Sequence, residues 1–452
     1  MNPLAKKYLE RLFQAAVAAV NPDALVRKAL RSTDDGLSLQ CGGVSATARW
    51  NELRNLYVVG GGKAARGMGE AAARVLGERV TAGILAVPRG TGGEDGPIRY
   101  IEAGHPIPDE GSRAAAWGIM DLLSWAGEGD LVIALLSGGG SAMLSATPEG
   151  VSIGEKERVL RFLFHSGADV GEVNTVRRHL SLVKGGRMAE AASPARVWVL
   201  LLSDVPGDDP AVVASGPFSP DKTTYQEALT VLARHGILPR VPDSVRVYLE
   251  SGAAGKVPET LKPGNPAFGG VTEAVLASNR TALEAAAGAA RSDRAAMVRT
   301  LPGFLRGEAR NCGRAFVSEM GKVSERTSPG QTILLLAGGE TTVTVVGKGK
   351  GGRCQEFALA AAIALDGVEG MAVLCGTTDG IDGVTDAAGG FAYGNSCVRA
   401  RTLGFSPRAH LDDNNSYSLL SQIDDLLRTG PTGTNVADVA VGVIAPGRRG
   451  KR

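Results

Sequence analysis

A chain of 452 residues exceeds what one ordinary hydrophobic core serves, so two or three domains of about 100–200 residues each are expected. Lys and Arg outnumber Asp and Glu by 49 to 47, a net charge of +2, which gives no electrostatic reason to expect nucleic acid or an anionic membrane as partner. The five cysteines are scattered without a C-x-x-C pair, arguing against a disulfide framework or zinc knuckle, and no apolar run approaches the roughly 18 residues of a membrane span; a cytoplasmic protein is expected.

In chain order, Lys, Glu and Arg interrupt the first thirty residues, which therefore do not read as a signal peptide. Leu9, Leu12, Phe13 and Val17 follow helical spacing and predict an amphipathic packing helix. LYVV (56–59), GILAV (83–87), DLVIALL (130–136) and RVWVLLLSD (196–204) predict buried parallel strands, with helices near 62–77, 112–126 and 155–192. This alternation predicts a doubly wound α/β domain, whose ligands gather beyond the carboxyl ends of the strands. Residues 216–268 are rich in proline and read as a link or partial cover between domains. A second series follows: a strand at 273–278, a helix from about 281, a strand at 295–301 and a helix near 307–321. TILLLAGGETTVTVVGKGKGGR (332–353) reads as two strands joined through Gly338-Gly339. A helix over about 354–366, the strand MAVLCG and a C-terminal helix–strand pair complete the chain, with the domain boundary expected near 245.

Several segments could carry chemistry. YVVGGGKAARGMG (57–69) partly matches a dinucleotide fingerprint at Gly60, Gly62 and Ala65, but the next strand ends in LAVPRG, without the acid that would bind a ribose. Arg89 could at most favour a 2′-phosphate. A phosphate-binding Walker loop also fails, because Tyr57 and Ala64 stand where Gly and Ser or Thr are required. What remains is either a tight turn or an anion-binding one, with N–H groups at Gly61 and Gly62 and the charge of Lys63. LLSGGGSAML repeats the design: Ser137, Gly138, Gly139 and Gly140 turn, and Ser141 stands at a helix start.

Asp204 ends the RVWVLLLSD strand, well placed as a base or Mg²⁺ ligand, or as an Asx turn, with Asp208 and Asp209 behind it. Asn174, Arg177, Ser181 and Lys184 form a polar row beside an apolar helical stripe. Arg353 follows a third glycine-rich turn, where its guanidinium and backbone donors could meet a phosphoryl group, and Glu340 ends the preceding strand. Asp379, Asp382 and Asp386 fail the EF-hand spacing, although one or two of them could help hold Mg²⁺. Asp109 or Ser112 can cap the helix after AGHPIPDEGS, and His105 could face a cleft. Three anion turns, a lysine, an arginine and strand-end acids describe phosphoryl transfer better than hydride transfer.

GGGKAA, AGHPIPDEGS, SGGGSAML, NTVRRHLSLVKGGRMA, SDVPGDDP, ASGPFSPD, GGETTVTVVGKGKGGRCQE, TDGIDGVTDAAG and GPTGTNVAD occur in this order along most of the chain. Together they resemble the glycerate 2-kinase family with its C-terminal MOFRL domain. The resemblance implies ATP- and Mg²⁺-dependent phosphorylation of glycerate to 2-phosphoglycerate. It implies a Rossmann-like N-terminal domain (1–245) and a smaller C-terminal α/β domain with a mixed sheet (246–452, MOFRL over about 332–446), with the active site in the interdomain cleft. Lys63, Asp204 and Arg353 then take catalytic roles. The substrate- and phosphate-binding set is Gly61, Gly62, Ser137, Gly138, Gly139, Gly140, Ser141, Arg177, Lys184, Asn279, Glu340 and Gly352, with Asp204 and Asp379 toward a nucleotide-borne Mg²⁺.

The expected partners are glycerate and ATP, with neither nucleic acid nor membrane, and a homodimer is left open. The family's GGRNQE carries Asn where this chain has Cys354, which puts substrate preference or local loop geometry in question. The alternative is an NADP-linked hydroxypyruvate reductase. A non-catalytic anion-binding protein would explain the glycines but not the strand-end acids.

Overall fold

A computed structural model describes residues 3–291, 296–325 and 331–445. The chain forms two compact units, Pro22–Leu276 and Met1–Asn21 with Ala277–Arg452. No helix among the described residues is long and apolar enough to cross a membrane.

The larger unit is built on a seven-stranded sheet in the order Val271–Ser278, Arg196–Ser203, Leu131–Ser137, Leu56–Gly61, Ala82–Val87, Ile98–Glu102, Gly93–Asp95. Leu56–Gly61 pairs in parallel with Ala82–Val87 on one side and Leu131–Ser137 on the other; Arg196–Ser203 and Ile98–Glu102 extend the parallel ladder, and only Gly93–Asp95 is shown to turn back. Every residue of Leu56–Gly61 and Leu131–Ser137 is buried, as expected of strands covered on both faces. From Leu56–Gly61 the chain winds outward through 82 and 98, then returns to place 131, 196 and 271 on the other side. This is the doubly wound order expected above, with its switch point between Leu56–Gly61 and Leu131–Ser137.

The helix Glu110–Ser124 starts at Asp109, whose carboxylate accepts the Ser112 N–H while the Ser112 hydroxyl accepts the Asp109 N–H. The helical region expected over 155–192 is three helices, Ile153–His165, Val170–His179 and Arg187–Ala192. Gly167 at φ 79° ends the first, and Gly185 and Gly186, at φ 60° and 83°, shape the turn before the third. Ser181 and Lys184 therefore lie in a turn rather than on the helix of Asn174 and Arg177. The single polar row does not exist.

The proline-rich stretch is not a link. It contains the helices Tyr225–Arg234 and Asp243–Ala253, whose Tyr225, Leu232 and Leu249 share a core with Val159, Leu163, Val176 and Leu180. This packing carries the larger unit to Leu276 instead of 245. A three-stranded antiparallel sheet, Leu30–Ser32, Gly36–Cys41 and Val44–Arg49, was not foreseen.

A buried ion pair ties the same region down. Arg178 Nη1 lies 3.0 Å from Asp221 Oδ1, and Asp221 also accepts from Thr223 and Thr260. Burial alone would raise the Asp221 carboxyl, but Arg178 and Thr223 outweigh it and hold it below the ordinary 3.8. Asp221→Ala strands a buried guanidinium and is expected to cost about 3–5 kcal/mol in urea unfolding at pH 7. A carboxyl lowered by folding contributes fully above its unfolded pKa, so the difference between wild type and variant should shrink as the pH is taken below about 4.

In the smaller unit the sheet order is Ala296–Thr300, Thr332–Gly339, Asp438–Ile444, Met371–Thr377, Gly389–Tyr393, Leu426–Leu427. The first pair is parallel and the others are antiparallel, the mixed sheet expected. The N-terminal helix Pro3–Ala19 buries Leu9, Leu12 and Phe13 completely, but it packs on Asn279–Arg291 and Asp438–Ile444 of this unit rather than in the first. Only one strand, Thr332–Gly339, lies within 332–353. Beyond it, Val345 and Val346 are 72% and 73% exposed, and the backbone is held by side chains instead of a ladder. Asn414 accepts the N–H groups of Val346 and Gly347, Asp413 that of Lys348, and Asn415 that of Lys350.

Candidate functional site

Lys63, the Ser137–Ser141 turn and Asp204 all sit at the carboxyl ends of neighbouring parallel strands, Leu56–Gly61, Leu131–Ser137 and Arg196–Ser203. At about 4.8 Å per strand, the outer two ends are separated by about 10 Å across the sheet. The two glycine-rich turns interlock. Lys63 N–H donates to Gly138 O at 2.8 Å, and Ala64 N–H donates to Ser137 Oγ at 3.0 Å. Gly62 has φ 134°, and a Cβ there would fall 2.3 Å from Ser137 Oγ. Gly61 packs against Ala86 and Leu144.

These bonds change the meaning of the first turn. The N–H of Gly62 is taken by Ala86 O and that of Ala65 by Gly62 O. The backbone donors expected to face an anion are thus spent inside the protein, and Gly61 and Gly62 are there for close approach of two loops. The turn contributes the Lys63 side chain. Gly139, at φ 84°, lies against it: a Cβ at that position would be 3.1 Å from Lys63 Cγ and 3.2 Å from His105 Cδ2. His105 therefore joins this group. The N–H groups of Gly139, Gly140 and Ser141 are paired with no acceptor among the described residues, as befits a short helix start.

Three successive left-handed residues, Ala214, Ser215 and Gly216, at φ 50°, 64° and 66°, press onto the second turn, and a Cβ on Gly140 would reach Ala214 at 2.8 Å. A non-glycine residue in this conformation costs about 1–3 kcal/mol. Ser215 Oγ is 2.8 Å from Ser141 Oγ and donates to Asn174 Oδ1 at 3.1 Å, and Arg177 Nη1 donates to the same oxygen at 2.7 Å. This connected chain from Ser141 to Arg177 was not visible by spacing. Lys184, expected to bind substrate, is fully buried and donates to Leu144 O at 2.6 Å. Asp209 accepts the Ala211 N–H, the plain Asx turn.

In the smaller unit Arg353 opens the helix Arg353–Ala364, with Gly352 as its N-cap. Its fork meets Asp438 through Nε at 2.6 Å and Nη2 at 2.8 Å, while Nη1 lies 3.0 Å from Glu340 Oε1. Burial disfavours the Arg353 charge, but Asp438 and Glu340 outweigh it and hold the group well above its ordinary pKa. Asp438 was missed; the only pointer was its place in GPTGTNVAD. Asn279 is no ligand donor: both its N–H bonds, to Val436 O and Asp438 O at 2.9 Å, hold the strand that carries Asp438.

Asp382, 1% exposed, accepts the N–H groups of Cys354 and Gln355, so the donors at this helix start are also consumed. Burial, then Asp438, pushes Asp382 up to about 7. Asp386 accepts from Tyr417, and Asp379 Oδ1 accepts from Thr377 and Ile381. Cys354 points into the core with Phe357 and Cys375, where burial pushes its thiol far up.

No group of three His, Cys, Asp or Glu side chains poised for a metal occurs among the described residues. Mg²⁺ carried on nucleotide phosphates would need only one or two hard carboxylate oxygens from the protein.

Residues 8–250 match the family described as a domain of unknown function (DUF4147), and residues 333–438 match the MOFRL family. The chain is 38% identical to a glycerate 2-kinase of Pyrococcus horikoshii, over 97% of each chain. It is 40% identical to an Agrobacterium vitis protein named as a hydroxypyruvate reductase, over 96% of this chain and 93% of that one. The crystal structure of a glycerate kinase from Thermotoga maritima superposes with a TM-score of 0.80 at 37% identity, covering 98% of this chain and 99% of the other.

Proposed function

Because this chain belongs to the glycerate kinase family with a C-terminal MOFRL domain, we propose that it transfers the terminal phosphoryl group of ATP to the 2-hydroxyl of glycerate, giving 2-phosphoglycerate and ADP. The observation that carries this is the row of Lys63, Ser137–Ser141 and Asp204 along three adjacent strand ends at the switch point of the larger sheet. Asp204 orients the 2-hydroxyl and accepts its proton as the oxygen attacks the phosphorus and the bond to ADP breaks. Lys63 and the N–H groups of Gly139–Ser141 stabilise the negative charge of the reacting groups. Arg353, already oriented by Asp438 and Glu340, supplies a rigid guanidinium to the transferring phosphoryl. Asp204 or Asp379 would be the carboxylate to hold a nucleotide-borne Mg²⁺, which when bound would offset phosphate charge.

The reductase alternative is disfavoured by the hydrogen bonds of the first turn. A bound dinucleotide draws its pyrophosphate onto the backbone N–H groups of such a turn, and those of Gly62, Lys63, Ala64 and Ala65 are occupied within the protein. The deciding assay gives purified protein D-glycerate, ATP and Mg²⁺, resolving 2- from 3-phosphoglycerate, beside NADPH with hydroxypyruvate. Formation of 2-phosphoglycerate and ADP is expected; NADPH oxidation without ADP formation would overturn the kinase assignment.

A further inference from the structure

Lys156, Arg177 and Lys184 bring three basic side chains together in the larger unit, from the helices Ile153–His165 and Val170–His179 and the turn that follows, and burial, with Lys156 and Arg177 beside it, holds Lys184 well below its ordinary pKa. Lys156 and Lys184 are 1% and 0% exposed. Their ammonium groups bind consecutive residues, Lys184 to Leu144 O at 2.6 Å and Lys156 to Ser145 Oγ at 2.8 Å. Arg177 reaches the same segment through Asn174, Ser215 and Ser141. No carboxylate lies within ion-pair distance of any of the three among the described residues, and the neighbouring Arg178 is already paired with Asp221. Buried charge of one sign is costly unless something of the other sign meets it.

The arrangement has a direction. Both lysines are too deep to touch a ligand, whereas half-buried Arg177 and Ser141 are accessible. Ser141 stands two residues beyond Gly139, which abuts Lys63 and His105. An anion resting on Arg177 and Ser141 would thus lie beside the reacting groups, with Lys156 behind it.

We propose that Arg177 and Ser141 form the subsite for the carboxylate of the acceptor acid, and that Lys156 supplies the field by which the enzyme selects a 2-hydroxy acid over an uncharged polyol, with Lys184 holding the Leu144 backbone in place. This rests on the glycerate kinase activity proposed above. Lys156 and Lys184 are positioning residues, acting through Arg177 and the Leu144–Ser145 backbone. The charged groups facing Lys156 are Glu157 on its own helix, Arg177 on the next and Lys184 on the turn. Burial brings Lys156 down to about 8, so its charge, and with it acceptor affinity, falls as pH rises through that value.

Titration calorimetry of the wild type, Lys156→Met and Arg177→Met, with D-glycerate alone and with ATP alone, tests this without turnover. Each substitution is expected to weaken D-glycerate binding by about tenfold or more and leave ATP binding within about twofold. Lys156→Met should also abolish the loss of glycerate affinity above pH 8 seen in wild type. Glycerol should compete poorly with glycerate in the wild type, and the variants should narrow that preference. Unchanged glycerate affinity in a folded Lys156→Met, or a loss confined to ATP, would overturn the proposal. Methionine keeps the volume and removes a buried charge, so its melting temperature should not fall; if that variant fails to fold, half-buried Arg177→Met decides the matter by the same criteria. Wild-type protein that binds glycerate through Arg177 yet phosphorylates none would refute the kinase assignment and leave the subsite standing.

Discussion

Arg353→Lys is expected to lower kcat by about 10²–10³-fold, the loss typical when one oriented donor to a transition-state charge is removed. Lysine retains the charge but not the planar fork that meets Asp438 at 2.6 and 2.8 Å while a third nitrogen faces Glu340. Arg353→Ala should be at least as inactive, but it also abandons a buried carboxylate. Asp438 is 2% exposed, and an unpaired charge there costs about 3–5 kcal/mol. The lysine variant therefore separates catalysis from folding, with circular dichroism and thermal melting as controls. Near-normal turnover in either variant would sink the role assigned to Arg353.

Asp204→Asn should lower kcat by about 10²–10⁴-fold, because a carboxamide of the same shape can orient the acceptor hydroxyl but cannot take its proton. The KM for glycerate should change little, since neither the Ser137–Ser141 turn nor Arg177 is disturbed. Steady-state kinetics with glycerate and ATP varied in turn reads both parameters. A large rise in KM at unchanged kcat would make Asp204 a binding group and move the base elsewhere.

The strands were legible because a buried parallel strand is continuously apolar: LYVV, DLVIALL and RVWVLLLS have no polar interruption, and glycine follows two of them closely. The capping residues Asp109 and Ser112 were legible because a side chain three residues from its partner is a local matter. Less was visible wherever several weak signals had to be weighed together. The prolines at 216–268 looked like a link, yet Tyr225, Leu232 and Leu249 share a core with Val159, Leu163, Val176 and Leu180 from well upstream in the chain. The row from Asn174 to Lys184 had helical spacing, but Gly185 and Gly186 reshape the chain before it can continue.

Candidate side chains could be named by type; which backbone donors stay available could not. Lys63, Asp204 and Arg353 stand out by type and by position after strands or before helices. Glycines mark where a backbone comes close to something, but not what that something is. At Gly62 it is Ser137, and at Gly352 it is Asp382, so the N–H groups thought to await an anion are partly spent on the protein itself. Asp438 and Lys156 escaped notice because each is an ordinary residue whose partner no local spacing picks out, Arg353 at 85 positions and Ser145 at 11.

The sequence by itself thus determined the fold class, the parallel strands and their loops, and the candidate side chains to test, because apolar runs, caps and residue chemistry act over a few neighbours. The tertiary structure alone decided which donors remain for a ligand, which carboxylates hold Arg353, and that Lys156, Arg177 and Lys184 gather about one segment. Those are sums over groups far apart in the chain, and burial and charge act through space.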